Sequence, residues 1–138
     1  VADLTITASQ VLPGTGVTQA NGTAGETITA GQPVYKDSTD SNHLKLAGAA
    51  STAAIATCVG ISAHASLDGQ PLTYYTAGLV TIGAGAAPAE GVMYTLSTTA
   101  GKITTDAIVS TEYLTYLGTA NGSNQIDISL DVTGQQLA

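Results

Sequence analysis

Two histidines, His43 and His64, a single cysteine, Cys58, and ten carboxylates are the side chains of this sequence that could move a proton, hold a metal or attack a substrate. Their spacing does not assemble any of those chemistries. The polar run Asp37-Ser-Thr-Asp-Ser-Asn-His43 is the best metal candidate, yet Thr39 and Ser41 stand at calcium-loop ligand positions, no glycine makes the bend and no glutamate closes it. A hairpin turn, with Asp and Asn side chains bonding their own backbone, fits the run better. The histidines lie 21 positions apart with no acidic residue at ligand spacing, which makes a weak zinc case. Cys58 sits among Ile55, Ala56, Val59 and Ile61 with no cation beside it, the setting of a buried small hydrophobe rather than a reactive thiol. Serine and threonine are plentiful, but no Gly-x-Ser-x-Gly elbow or base and orienting partner is visible. The carboxylates are dispersed, and Gly83-Ala-Gly85 leads into Ala-Ala-Pro with no lysine for a phosphate. The residues predict no enzyme, metal or cofactor.

The elements that would position these residues are short strands. Gly25-Glu-Thr-Ile-Thr-Ala-Gly-Gln-Pro-Val-Tyr-Lys-Asp37 reads as a β corner: Thr27 to Thr29 favour extension, Ala30-Gly31 turns, and Pro33 sends Val34 and Tyr35 off as a new strand. Gly91-Val-Met-Tyr94 repeats that exit. After each tyrosine come a polar turn, a lysine strand (Leu44-Lys-Leu46, then Lys102-Ile103), a linker, a Gly-centred strand (Val59-Gly-Ile61, then Leu117-Gly-Thr119) and a strand ending in Gly, Leu72–Gly78 and Ile126–Gly134. Tyr35 precedes Gly60 by 25 positions and Tyr94 precedes Gly118 by 24. This suggests a duplication, residues 31–78 and 91–134, of half-barrels that need one another to bury their apolar faces. Turn residues recurring by chance are the competing explanation.

The fold class expected is all-β: a small β-barrel of two similar half-units, with one or two short helical turns. The turns are placed at Ala49–Thr57, capped by Ser51, and at Thr105–Thr111, where a loop is the alternative. Asn21-Gly22 and Asn121-Gly122 are both expected as turns. Residues 1–24 stand apart from a single β domain over 25–138. Leu4, Ile6 and Ala8 alternate with Thr5, Thr7 and Ser9, then glycines and Pro13 break the pattern. This segment is either an added edge strand, the preferred reading, or an arm reaching another chain.

Composition narrows the partners. Three lysines and no arginine against ten carboxylates give a net charge of −7, which removes the electrostatic basis for binding nucleic acid or an anionic membrane. The uncharged stretches 46–67 and 69–89 are interrupted by Gly, Pro, Ser and Thr and do not read as membrane helices. No basic run followed by an apolar core opens the chain, so no signal peptide is expected in it.

The phrases Ala2-Asp-Leu-Thr-Ile-Thr-Ala8, Ala24-Gly-Glu-Thr-Ile-Thr-Ala-Gly-Gln-Pro-Val-Tyr35, Val59-Gly-Ile-Ser-Ala63, Gly69-Gln-Pro71 and Gly91-Val-Met-Tyr-Thr-Leu-Ser97 resemble, in this order, the capsid decoration or cement proteins of tailed bacteriophages. The resemblance covers most of the chain through texture and short phrases. It implies a β-tulip-like domain on the outer surface of the virion head, usually a homotrimer at three-fold positions, that clamps the major capsid protein lattice and stabilises it without catalytic residues. Strand edges nearly free of Lys and Arg agree with edges covered by another chain. The expected partner-binding residues are Leu4, Thr5, Ile6 and Val11. The alternative is a tail- or fibre-associated β domain, or an adhesin module binding host surface glycans through Tyr74, Tyr75, Tyr113 and Tyr116.

Overall fold

The computed structural model describes residues 6, 11–49, 52–82, 91–104, 113–120 and 125–136. Ten strands follow in chain order: β1 (Leu12–Pro13), β2 (Thr18–Thr23), β3 (Pro33–Asp37), β4 (His43–Leu46), β5 (Cys58–Ser62), β6 (Pro71–Thr81), β7 (Met93–Leu96), β8 (Ile103–Thr104), β9 (Tyr113–Ala120) and β10 (Gln125–Gln136). They form one sheet in the order β4-β3-β5-β6-β10-β9-β7-β8, with β1 and β2 added along β6. Eight strands curl through 281° about an axis.

Two expectations are corrected here. The sheet is a curled half-barrel rather than a closed ring, because its end strands β4 and β8 do not pair with each other. No helix is present among the described residues. At Ala49–Thr57 the described part makes only a hydrogen-bonded turn, with Ala56 N–H to Thr52 O at 3.2 Å and Thr57 N–H to Ala54 O at 3.2 Å. Thr52 caps it, its Oγ1 accepting the Ile55 N–H at 3.3 Å, while Ser51 lies outside the described residues. Ala49 is meanwhile tied into the sheet, donating to Ser97 O and accepting from Tyr113 N–H. Between that tie and Cys58 at the start of β5 there is no length for a helix to outgrow its costly nucleus. Thr105–Thr111 lies outside the described residues.

Asn21-Gly22 is also corrected, since both residues belong to β2. The glycine serves packing: a Cβ on Gly22 would stand 2.8 Å from Leu44 Cδ1. Asn121-Gly122 lies outside the described residues.

The pairing β4–β3–β5–β6 is repeated as β8–β7–β9–β10. Within this pattern Val34 faces Gly60 and Tyr94 faces Gly118, each followed by a register shift. Val34 and Tyr94 both follow by three residues a left-handed glycine, Gly31 (φ 84°) and Gly91 (φ 89°). The structural counterpart of Tyr94 is therefore Val34, one residue before the tyrosine that the sequence offers.

Alternation along the strands feeds two cores, one on each face of β3, β5 and β6. Ala24, Ile28, Val34, Leu44, Leu72 and Tyr74 fill the smaller. Tyr35, Cys58, Ile61, Tyr75, Val80, Tyr94, Leu96, Leu117, Ile126 and Ile128 belong to the larger. Successive residues on β3 (Val34, Tyr35) and β6 (Tyr74, Tyr75) point to opposite cores, as a period of two requires. In the larger core the Tyr94 hydroxyl is buried with no hydrogen-bond partner among the described residues. Such a group costs about 1–3 kcal/mol.

A candidate interface at the open sheet edge

Strand β6 has both edges engaged. Tyr75 faces Ile61 on one side and Gln19 on the other, and Ala77 faces Ser129 and Thr18. Thus β5 and β10 share one edge of β6, while the N-terminal segment follows the other, from Leu12 opposite Thr81 to Thr23 opposite Pro71. Between β1 and β2 the chain bulges away but stays attached, with Gly14 N–H to Leu79 O at 2.7 Å and Leu79 N–H to Thr15 O at 3.3 Å. Along Thr18–Gly22 no strand pairs with the outer edge of β2 among the described residues, but at its far end β4 covers it, where Ala24 bridges Leu44 in parallel and the Gly25 N–H donates to the Leu44 carbonyl at 2.8 Å.

That outer edge has little of the protection an exposed strand ordinarily carries. No charged residue occurs from Val11 to Gly25, and Pro13 is its one proline. The other free edges differ. Strand β8 is two residues long. Beside β4 the Leu46 N–H is taken by Glu26 Oε2 at 2.8 Å, and the Leu44 carbonyl accepts the Gly25 N–H at 2.8 Å. Lys45 Nζ lies 2.9 Å from Asp37 Oδ2 and 3.3 Å from Asp40 Oδ2, so charge also guards that side. On the exposed face of β2, Asn21 Oδ1 accepts the Thr73 hydroxyl at 2.7 Å, which fixes the amide while leaving its nitrogen without a partner among the described residues.

The four expected contact residues divide. Leu4 and Thr5 lie outside the described residues. Ile6 is half-buried and Val11 is 6% exposed, both against the larger core. Both crowd Gly31, where a Cβ would fall 2.6 Å from Ile6 Cγ2 and 3.0 Å from Val11 Cγ2. These two side chains are therefore seated on their own chain. The neighbouring Leu12, 58% exposed on β1, is the apolar side chain that faces outward. Alternation after Val11 was the signal for it, and the break at Pro13-Gly14 hid it.

The chemically capable residues stay dispersed. The Cys58 thiol is buried, donates to Gly60 O at 3.3 Å and has its pKa pushed up to about 12 by desolvation. His64 is held between Ala65 O, 2.9 Å from Nδ1, and the Thr73 N–H, which donates to Nε2 at 3.1 Å. Among the described residues no three His, Cys, Asp or Glu side chains gather around a possible metal position. Of the four tyrosines, Tyr74 and Tyr75 are buried in the two cores, and Tyr113 and Tyr116 are half-buried. Two hollows, about 60 Å³ between the Ala30–Gln32 and Gly101–Ile103 segments and about 170 Å³ beside Ile28 and Leu67, are smaller than the ~300–1,000 Å³ of a typical ligand pocket.

The Asp37–His43 run forms the expected turn, with Ser41 and Asn42 in the left-handed region (φ 55° and 59°). Asp37 Oδ1 accepts the Thr39 hydroxyl at 2.6 Å and the Thr39 N–H at 3.0 Å. Those bonds, then Lys45, lower its pKa to about 2. The bonds favour the ionised form, so their contribution is complete above the ordinary carboxylate value, near 3.8, and fades as pH falls toward 2. Wild-type stability should decline over that window more steeply than that of Asp37→Asn in denaturant titrations at each pH. The difference should be small, because the pair is solvated.

No protein-family model, curated protein or solved structure matches the chain.

Proposed function

We propose that this chain is a capsid decoration protein of a tailed bacteriophage. It binds the outside of the mature head as a homo-oligomer and stabilises the lattice of major capsid protein, with no reaction of its own. The carrying observation is the uncharged outer edge of β2 over Thr18–Gly22, which β4 leaves uncovered, flanked by the exposed Leu12. A strand left open in this way is completed by another chain, whose main-chain hydrogen bonds supply affinity. The phrase-by-phrase resemblance supports the same reading. The net charge of −7 also argues for a protein partner over nucleic acid.

Stabilisation follows from mass action. A protein that binds the assembled lattice and not its dissociated subunits lowers the free energy of the assembled state, and many copies on one shell act together. The glycan-binding alternative has less support, since Tyr74 and Tyr75 are core residues and cannot stack on a sugar.

The test is co-sedimentation of the purified protein with expanded, undecorated heads of tailed phages, followed by reconstruction of the decorated particle. Density at local three-fold axes and a raised disruption temperature are expected. Removing residues 1–10, which spares Val11 but takes Ile6 from the rim of the larger core, should abolish occupancy while leaving the β signature of the circular dichroism spectrum in place. Full occupancy by the shortened chain would exclude Leu4, Thr5 and Ile6 as anchors. Failure of the full chain to co-sediment at any salt would overturn the capsid reading.

A further inference from the structure

We propose that His64 is an acid-sensitive latch on the ladder between β5 and β6. Ile61 faces Tyr75 and Ser62 faces Tyr74, so Ala63 and Thr73 stand as the next pair. Half of that pair is ordinary, with the Ala63 N–H donating to the Thr73 carbonyl at 2.9 Å. The Thr73 N–H donates instead to His64 Nε2, at 3.1 Å, so that an imidazole nitrogen does the work of a carbonyl as the last acceptor of the ladder. The other ring nitrogen, Nδ1, lies 2.9 Å from the Ala65 carbonyl oxygen, which has no proton to give. Nδ1 therefore carries the hydrogen and Nε2 the lone pair, and only the neutral ring satisfies both contacts.

A proton on Nε2 sets two N–H groups against each other, and the rung is lost. It is present above the range in which imidazole charges and disappears as pH falls through it. His64 is exposed, so the proton arrives without any part of the fold opening. Among the described residues, Thr18–Thr23 and Thr27–Gln32 bring no titratable group to this corner, β5 and β6 bring the buried Cys58, Tyr74 and Tyr75, and the connection from Ala63 to Gln70 brings Asp68. That connection has a second fastening. Ser66 exchanges main-chain bonds with Ile28 at 2.8 and 2.9 Å and gives its hydroxyl to the Pro71 carbonyl. Those bonds do not titrate, so acid frees the His64 end and leaves the cover over Ile28 and the smaller core in place. The Thr73 hydroxyl, in turn, donates to Asn21 Oδ1 at 2.7 Å, so the residue that acid releases is the one that steadies the uncovered stretch of β2. The latch works in the isolated chain, whatever its partner.

Amide exchange read by NMR on the full chain, from about pH 8 to about pH 5, tests it. After correction for the intrinsic pH dependence of exchange, the Thr73 amide should lose roughly threefold to tenfold in protection across that range, the worth of one hydrogen bond. The Ile28 amide, bonded to Ser66, should keep its own. His64→Ala should show the low Thr73 protection at every pH. His64→Gln, whose amide oxygen accepts the Thr73 N–H and takes up no proton, should hold the high value to the acid end. Nitrogen correlation spectra of the wild-type ring should place the hydrogen on Nδ1 at neutral pH. Thr73 protection that does not change with pH would overturn the inference. So would a step that survives in His64→Gln, where His43 and the carboxylates still titrate, a step that vanishes in Asp68→Asn, or a hydrogen on Nε2 at neutral pH.

Discussion

Gly118→Ala should destabilise the protein by about 3 kcal/mol or more, a large share of the 5–15 kcal/mol that holds a typical domain together. Gly118 sits on β9 at the point where β7 and β10 both close in. A Cβ there would press on the Asp127 carbonyl oxygen, with the Asp127 carbonyl carbon at 2.9 Å and Ile128 Cα at 3.1 Å. All three are backbone atoms of β10 and cannot rotate aside. Gly60, its counterpart on β5, is equally confined, with Tyr75 O at 2.5 Å and Tyr74 Cδ2 at 2.6 Å from the same notional atom. Gly16 provides the contrast. Its φ of 74° strains an alanine, but nothing lies within 4 Å, so Gly16→Ala should cost only the left-handed backbone term of about 1–2 kcal/mol. Urea titrations of the three variants check the ranking, and near-equal costs would show that crowding at Gly60 and Gly118 is relieved by movement of the strands.

Leu44→Ala should cost about 3–5 kcal/mol. Leu44 is fully buried in the smaller core, whose other large members are Ile28, Val34, Leu72 and Tyr74. A core with so few side chains has little to collapse into the space left behind. The same residue also holds the seam between β2 and β4, where Ala24 bridges Leu44 and Gly25 donates to its carbonyl. Hydrogen exchange at the Gly25 amide should accelerate in the variant together with the loss of global stability. Leu67→Ala removes an exposed leucine and should change stability by no more than about 0.5 kcal/mol.

The strands were legible because their patterns are local. Leu44-Lys45-Leu46 declares β4 by alternation, the Gly-centred runs 59–61 and 117–119 lie in β5 and β9, and Pro33 opens β3 at the β corner. What escaped depends on distant partners. Asn21-Gly22 reads as a turn until Leu44, far along the chain, is placed over the glycine. The Ala-rich segment reads as helix until Ala49 is seen bonded to Ser97 and Tyr113. The tyrosines at 35 and 94 look equivalent until the left-handed glycines set the register one residue differently. Val11 looked available to a partner because its neighbour across Gly31 is an intrachain contact that spacing does not reveal. The open edge of β2 was invisible for the same reason, since an unpaired edge exists only once every other strand has found its place.

The position of β6 bears on how the molecule comes apart. Its eleven residues supply Leu72 and Tyr74 to one core and Tyr75 and Val80 to the other, while β2, β5 and β10 all lean on its backbone. Neither core can fray without exposing a face of the strand that seals its neighbour. Melting is then a concerted event rather than the loss of one half of the sheet at a time.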